Sequence, residues 1–176
     1  MPSLTAVVLG AVLSLATARA ADPGHPPSRD ELIGAWRLVR IEYIGPRGPQ
    51  SDPYYGTDAV GLLTYEPGGT MSVQIGDRER GDLQVGDDRR RGPPDAASAL
   101  ARAHAFDTYY AYFGRWDYDE RHGILTHEVQ ASLIPAERGR RYTQEVRLEA
   151  GRLIFINRST TAAGVTIRRK IWERVS

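Results

Sequence analysis

From Trp36 to Val175 apolar and polar residues alternate in short runs, and a period of two sets successive side chains on opposite faces of a β-strand. Eight runs stand out: Trp36 to Ile44, Val60 to Glu66, Thr70 to Gly76, Arg115 to Tyr118, Ile124 to Ile134, Arg140 to Glu149, Arg152 to Ser159 and Val165 to Val175. The breaks between them carry turn residues, among them Pro67-Gly68-Gly69, Asp119 to Gly123, Ala150-Gly151 and Ala162-Ala163-Gly164, and glycine there accepts the positive φ that a hairpin turn requires. Connections this short join antiparallel neighbours, since a parallel crossover needs about a dozen residues or more. With the first and last runs able to pair, the pattern predicts an all-β fold: an eight-stranded antiparallel up-and-down barrel with one helix inserted between strands 3 and 4.

That helix comes from Asp95 to Phe113, where the period changes. Ala96, Ala97, Ala99, Leu100, Ala101 and Ala103 favour helix, and Asp95 stands ready as its N-cap. Leu100, Ala103, Phe106, Tyr109, Tyr110 and Phe113 fall on one helical face, which predicts that the helix lies across a barrel end or along its wall. Gly45 to Gly56 reads as a loop, and Asp77 to Pro94, polar and rich in Gly and Arg, as a loop at one mouth.

The N-terminus has a different pattern. Leu4 to Leu15 is an apolar run followed by Ala18-Arg19-Ala20, a small-x-small site for signal peptidase. We read residues 1–20 as a signal peptide, 21–30 as a linker and 31–176 as the barrel domain, which places the mature protein in the periplasm or the medium. The run is shorter than the roughly 20 residues a spanning helix needs, so no stable membrane insertion is expected after cleavage. No Lys or Arg precedes it, and a retained anchor is the competing reading. Ser28 and Glu31 have the spacing of a capping box for a short helical turn through Leu32 and Ile33. There is no cysteine, so stability must come from the core alone.

Charge narrows the function. The chain has 23 basic and 22 acidic residues, a net charge of +1, and this balance argues against a nucleic-acid partner, which calls for a basic surface. Arg89-Arg90-Arg91 sits beside Asp87-Asp88 and reads as a solvated loop. The histidines and carboxylates show no metal-ligand spacing, and there is no nucleophile elbow or phosphate loop, so neither a metal nor a cofactor is expected.

Alternation then assigns faces. His127, Val129, Ala131 and Leu133 share one side of the fifth strand, which puts His127 inside; Met71, Val73 and Ile75 oppose Ser72 and Gln74 in the third. In the sixth, Tyr142, Gln144, Val146 and Leu148 share a face, so Gln144 points inward. In the seventh, Leu153, Phe155 and Asn157 oppose Ile154, Ile156 and Arg158; apolar residues on both faces suggest that the helix covers part of that wall. Tyr65, Tyr109, Tyr112 and Trp116 offer apolar bodies with polar tips, and with Gln74, His127 and Gln144 they form the candidate ligand-binding set. His127 is also the candidate catalytic residue, a potential general base; His25, His104 and His122 fall in linker, helix and turn, and Ser132 has no evident partner. Tyr54-Tyr55 reads as either a lid or an exposed patch.

Gly34-Ala35-Trp36-Arg37-Leu38-Val39, then Gly61 to Ile75, Ala105-Phe106 through Trp116, and Thr126-His127-Glu128 through Pro135 resemble, in order and spacing, the lipocalin-like domain family of bacteria and fungi. The resemblance spans Leu32 to Arg174 and implies an eight-stranded barrel with a ligand-sized interior; fungal relatives in natural-product pathways add cyclisation or isomerisation guided by such a barrel. It further implies that Trp36 closes the base with Arg174 or Arg168 packed across it. The export signal and the Arg-rich loop depart from the fungal pattern.

Three functions follow. A barrel that binds a small apolar or amphipathic molecule predicts a cavity of several hundred Å³ with no strongly perturbed titratable group. A cofactor-free isomerase, cyclase or hydrolase predicts His127 within hydrogen-bond reach of a tyrosine or carboxylate. A structural envelope protein predicts a filled interior. The first is the reading the sequence favours; oligomeric state is not legible in it.

Overall fold

The first long strand pairs with the last, and this closes the sheet into a barrel. The computed structural model describes residues 24–80 and 95–175; the expected signal peptide and the Arg89-Arg90-Arg91 cluster lie outside the described residues. In chain order the elements are α1 (Arg29–Leu32), β1 (Gly34–Gly45), β2 (Gly48–Gln50), β3 (Ala59–Tyr65), β4 (Thr70–Asp77), α2 (Ala96–Asp107), β5 (Tyr109–Asp119), β6 (Ile124–Ser132), a 3₁₀ turn (Pro135–Glu137), β7 (Arg141–Glu149), β8 (Arg152–Thr161) and β9 (Gly164–Arg174). All pairings are antiparallel in the order β2-β1-β3-β4-β5-β6-β7-β8-β9, with β1 also bonded to β9 from Trp36↔Arg174 to Ile44↔Ile167. Eight strands form the closed barrel, and β2 is an additional short strand hairpinned onto β1.

Gly48–Gln50 was expected inside a loop; as β2 it moves the helix to a position after β4 rather than between strands 3 and 4. The helix is also shorter than expected. It runs from its N-cap Asp95, whose side chain accepts from Ser98 N at 2.8 Å, to Asp107, where the Thr108 N–H bonds back to His104 and Phe106 carbonyls. Tyr109, Tyr110 and Phe113 belong to β5, which pairs with β4 from Thr70↔Arg115 to Gly76↔Tyr109. An aromatic run favours a paired strand once a partner edge is present, and that pairing overrides the helical period. The helix buries no residue, and Leu100 and Phe106 remain 73% and 45% exposed, so the expected apolar supporting face does not form.

At the base, α1 is a plug. Ser28 and Glu31 make the capping box, Leu32 is fully buried, and Trp36 Nε1 donates to Leu32 O at 2.9 Å. Arg174 lies over the Trp36 ring at 4.2 Å and donates to Ile33 O at 2.7 Å and Glu31 O at 2.5 Å, as the family resemblance implied. The stacked guanidinium contributes about 0.5–2 kcal/mol through the ring quadrupole, beyond its hydrogen bonds. Arg168, the other candidate for that role, lies in the middle of β9 and pairs with Asp52 instead. Residues of the expected linker also pack on the barrel: His25 bridges to Leu148, and Tyr118 OH donates to Pro27 O at 2.8 Å.

The inside faces of β4 (Met71, Val73, Ile75) and β7 (Gln144, Val146) are buried as alternation predicted. In β6 a bulge at Gln130 shifts the register between Phe113↔Ala131 and Gly114↔Val129, so Ala131 joins the exposed Phe113 and does not continue the face of His127 and Val129. In β8, Leu153 and Phe155 point into the core while Ile154 and Ile156 pack outside against Ile171, Val39 and Ile167. The helix does not cover this wall; it contacts β5. Ion pairs lie on the same outer face instead, with Arg169 reaching Glu42 at 2.9 Å and Glu149 at 2.7 Å, and long side chains bury apolar neighbours under their stems.

The bulge depends on a glycine. A Cβ on Gly114 would stand 1.9 Å from Glu128 O, which only a backbone shift relieves. Gly114→Ala is expected to cost about 3 kcal/mol in urea unfolding. Gly68→Ala, where a Cβ meets nothing within 4 Å, is the control and should change stability by less than about 0.5 kcal/mol.

Candidate functional site

A cavity of about 520 Å³ opens at the end of the barrel away from α1. Val73, Ile75, Phe155 and Trp172 supply its apolar wall, and His127, Tyr112 and Gln144 bring polar atoms into it. Of the seven residues proposed from the sequence, Tyr109, Tyr112, His127 and Gln144 line the cavity. Tyr65 is fully buried behind His127. Gln74 sits on the opposite face of β4 from Val73 and Ile75, half-buried, outside the lining. Trp116 points inward nearer the base, donating from Nε1 to Glu66 O at 3.0 Å under the Arg29 guanidinium. Side-chain alternation had already put Gln74 on the far face of its strand; its amide chemistry was the only reason to include it.

His127 lies between two phenols. Tyr65 OH is 2.7 Å from Nε2 and Tyr112 OH is 2.6 Å from Nδ1. Burial, reinforced by the nearby Lys170 charge, pushes the His127 pKa down to about 3, so the ring is neutral with one donor and one acceptor nitrogen. Tyr65 is enclosed and has no other partner for its proton among the described residues, and an unmade buried hydrogen bond costs about 1–3 kcal/mol. Tyr65 therefore donates to Nε2, the Nδ1–H donates to Tyr112, and the Tyr112 hydroxyl proton is left directed at the cavity. Burial also raises both tyrosine pKa values, so the relay is uncharged.

The mouth is organised around Asp52. This buried carboxylate accepts from Tyr54 N and Tyr55 N at 3.0 and 3.1 Å through one oxygen and from Arg168 Nε at 2.7 Å through the other. Arg168 in turn faces the rings of Tyr54 and Tyr55 at 5.4 and 5.7 Å. The two tyrosines differ in exposure: Tyr55 is buried, its pKa raised to about 12 by that burial, and Tyr54 is exposed. Across the mouth Glu137 accepts from Tyr110 OH at 2.9 Å and from Ser132 Oγ at 2.7 Å, which gives Ser132 the partner the sequence did not reveal.

Arg168, Lys170 and Glu137 also line the cavity, and none of them was expected there from the sequence. Lys170 lies on the opposite face of β9 from Ile167 and Ile171, and because apolar residues normally point inward, alternation does not mark Lys170 as interior. Burial, then the Arg168 charge, lowers the Lys170 pKa to about 8, with Asp52 opposing. The cavity thus has the size expected for a binding barrel but not the expected absence of perturbed groups.

His127 makes the fold acid-sensitive. Its pKa is about 3 folded against 6.5 unfolded, so on acidification the unfolded chain takes the proton first; stability is full above about pH 6.5 and falls as pH drops toward 3. At one pKa unit per 1.36 kcal/mol, the loss from this group between about pH 7 and pH 5 is about 2 kcal/mol. Urea unfolding across that range is expected to show the slope in the native chain and a flatter one in His127→Phe, whatever the variant's absolute stability.

The profile of the lipocalin-like domain family matches residues 33–175, most of the 176-residue chain. No curated protein matches it. The matched segment runs from the Arg174-clamped base through every strand of the barrel, and the chain belongs to the lipocalin-like domain family.

Proposed function

We propose that this protein works outside the cytoplasm, after loss of residues 1–20, as a container for a small, largely apolar molecule held inside the barrel. One observation carries the reading: the interior is not filled by side chains but holds a cavity of about 520 Å³, within the size range of small-molecule sites, with aromatic and aliphatic walls and a few convergent polar groups. A purely structural envelope protein has no need of that space. Membership in the lipocalin-like family supports small-molecule binding in general.

The catalytic alternative has one observation in its favour, the contact of His127 with Tyr65 and Tyr112. The electrostatics oppose it. A general base works best with a pKa near the working pH, whereas His127 is held near 3 and the tyrosines are raised, so proton transfer through this set runs uphill in both directions at neutral pH. The neutral relay fits a hydrogen-bond anchor better than an acid–base pair.

Expression of the full chain with its own leader, followed by native mass spectrometry of the exported form, is expected to give a protein beginning at Ala21 with a small molecule released on denaturing extraction. Uncharged N-phenylnaphthylamine should bind saturably to the emptied protein, and Asn157→Trp, which fills the cavity from β8, should abolish that binding. A retained leader overturns the export reading; no extractable molecule together with no saturable probe binding overturns the container reading.

A further inference from the structure

Along the inside of β9, Arg168, Lys170 and Trp172 follow one another at every second residue and all line the cavity. Strand geometry spaces them by about 7 Å, a ladder about 13 Å long. Each rung has a donor without a partner among the described residues, and the Lys170 ammonium is the one not sealed behind protein atoms. Arg168 Nη2 and Trp172 Nε1 are buried without a hydrogen-bond partner among the described residues. Lys170 has no ion pair within 4 Å there. Tyr112, by the proton count above, adds a fourth donor from the facing side.

The two buried or half-buried carboxylates around the same space are already engaged. Asp52 is taken by Arg168 Nε and two backbone N–H groups, and Glu137 by Tyr110 and Ser132. Asp107, the remaining carboxylate at the cavity, sits exposed at the end of α2. Buried donors are matched in folded proteins with few exceptions, and each one left unmatched costs stability. The imbalance is one of charge: among the described residues the Lys170 ammonium faces the cavity with no carboxylate paired to it, and the neutral amides of Gln144 and Asn157 do not offset that charge.

We infer that the ligand is a small anionic amphiphile, an apolar body carrying an acidic oxygen group such as a carboxylate, sulfonate or enolate, with those oxygens against the Lys170 ammonium. This rests on the container reading above and specifies its ligand class. The apolar body lies along Phe155, Val73 and Ile75, and a further oxygen reaches Tyr112. Lys170 is predominantly protonated at neutral pH, its pKa of about 8 notwithstanding, so the charge is present when a ligand arrives. Arg168, fixed by Asp52 through Nε, stands one rung away and keeps that carboxylate from pairing with Lys170.

The test uses two dyes that share a ring system and differ by one acidic group: anilinonaphthalene sulfonate and uncharged N-phenylnaphthylamine. Fluorescence titration of the exported protein at neutral pH is expected to give saturable binding of both, with the sulfonate tighter by about tenfold, as a charge-assisted bond to Lys170 implies. Lys170→Met should lower sulfonate affinity by about tenfold and leave the neutral dye within about twofold; Lys170→Arg should keep the preference. Lys170→Met removes a partly buried cation without removing volume, and Lys170→Gln is the second variant should Met disturb the fold. Equal affinity for the two dyes in the native protein, or a loss in Lys170→Met shared by both, overturns the anionic ligand and leaves the container standing. Failure of both dyes to bind, together with no extractable molecule, overturns the two together.

Discussion

Everything in this molecule depends on the antiparallel pairing of β1 with β9, which continues from Trp36↔Arg174 to Ile44↔Ile167 past a bulge between Leu38 and Arg40. Without it the sheet would be open, with two edges and no interior. With it, one face of every strand is enclosed, and the same pairing brings Arg174 over Trp36 so that α1 seals one end. The other end has no such plug, and the cavity lies there. Closure also decides where β9 points its charges: once Trp172 is locked beside Phe155, with ring centroids 5.9 Å apart, Lys170 and Arg168 have to follow it inward.

What the sequence disclosed and what it concealed have physical explanations. Hairpin turns and the two N-caps are local, and each rests on residue types with few alternative uses, whereas the distant pair of Trp36 and Arg174 was implied only by the family resemblance. His127 and Gln144 were legible as interior because their alternate neighbours are apolar and their strands stay regular on that stretch. The rest turns on long-range pairing. Tyr109 to Phe113 has a helical period and becomes strand only because β4 supplies an edge. The shift at Gln130 is invisible without the partner strand. The face of β9 was concealed for a different reason: its outer side is also buried, so Ile167 and Ile171 sit outside and the cations inside, the inverse of what hydrophobicity alone implies.

The central network of Tyr65, His127 and Tyr112 shows how geometry and proton affinity separate. By distance the trio has the look of an acid–base site, with both ring nitrogens engaged at 2.7 and 2.6 Å. Burial removes that capacity by holding the imidazole neutral and the phenols protonated. What is left is orientation: the ring is fixed from both sides, and its preferred tautomer determines which way a hydroxyl proton points. In a low-dielectric interior such a fixed dipole is worth more to a bound acceptor than a mobile one, because nothing needs to reorganise when the acceptor arrives.

The isoleucines on the outside of β8 and β9 carry a consequence for motion. A strand buried on one face exchanges its amide hydrogens when that face loosens, but Ile154, Ile156 and Ile171 are packed beneath the ion pairs of Arg169 while Leu153, Phe155 and Trp172 are packed within. This wall loses protection only when both layers separate, so its amides report global unfolding. The helix α2, which buries nothing, belongs to the opposite end of that scale. The barrel therefore has a stiff back and a compliant front, and the ladder of donors is mounted on the stiff one.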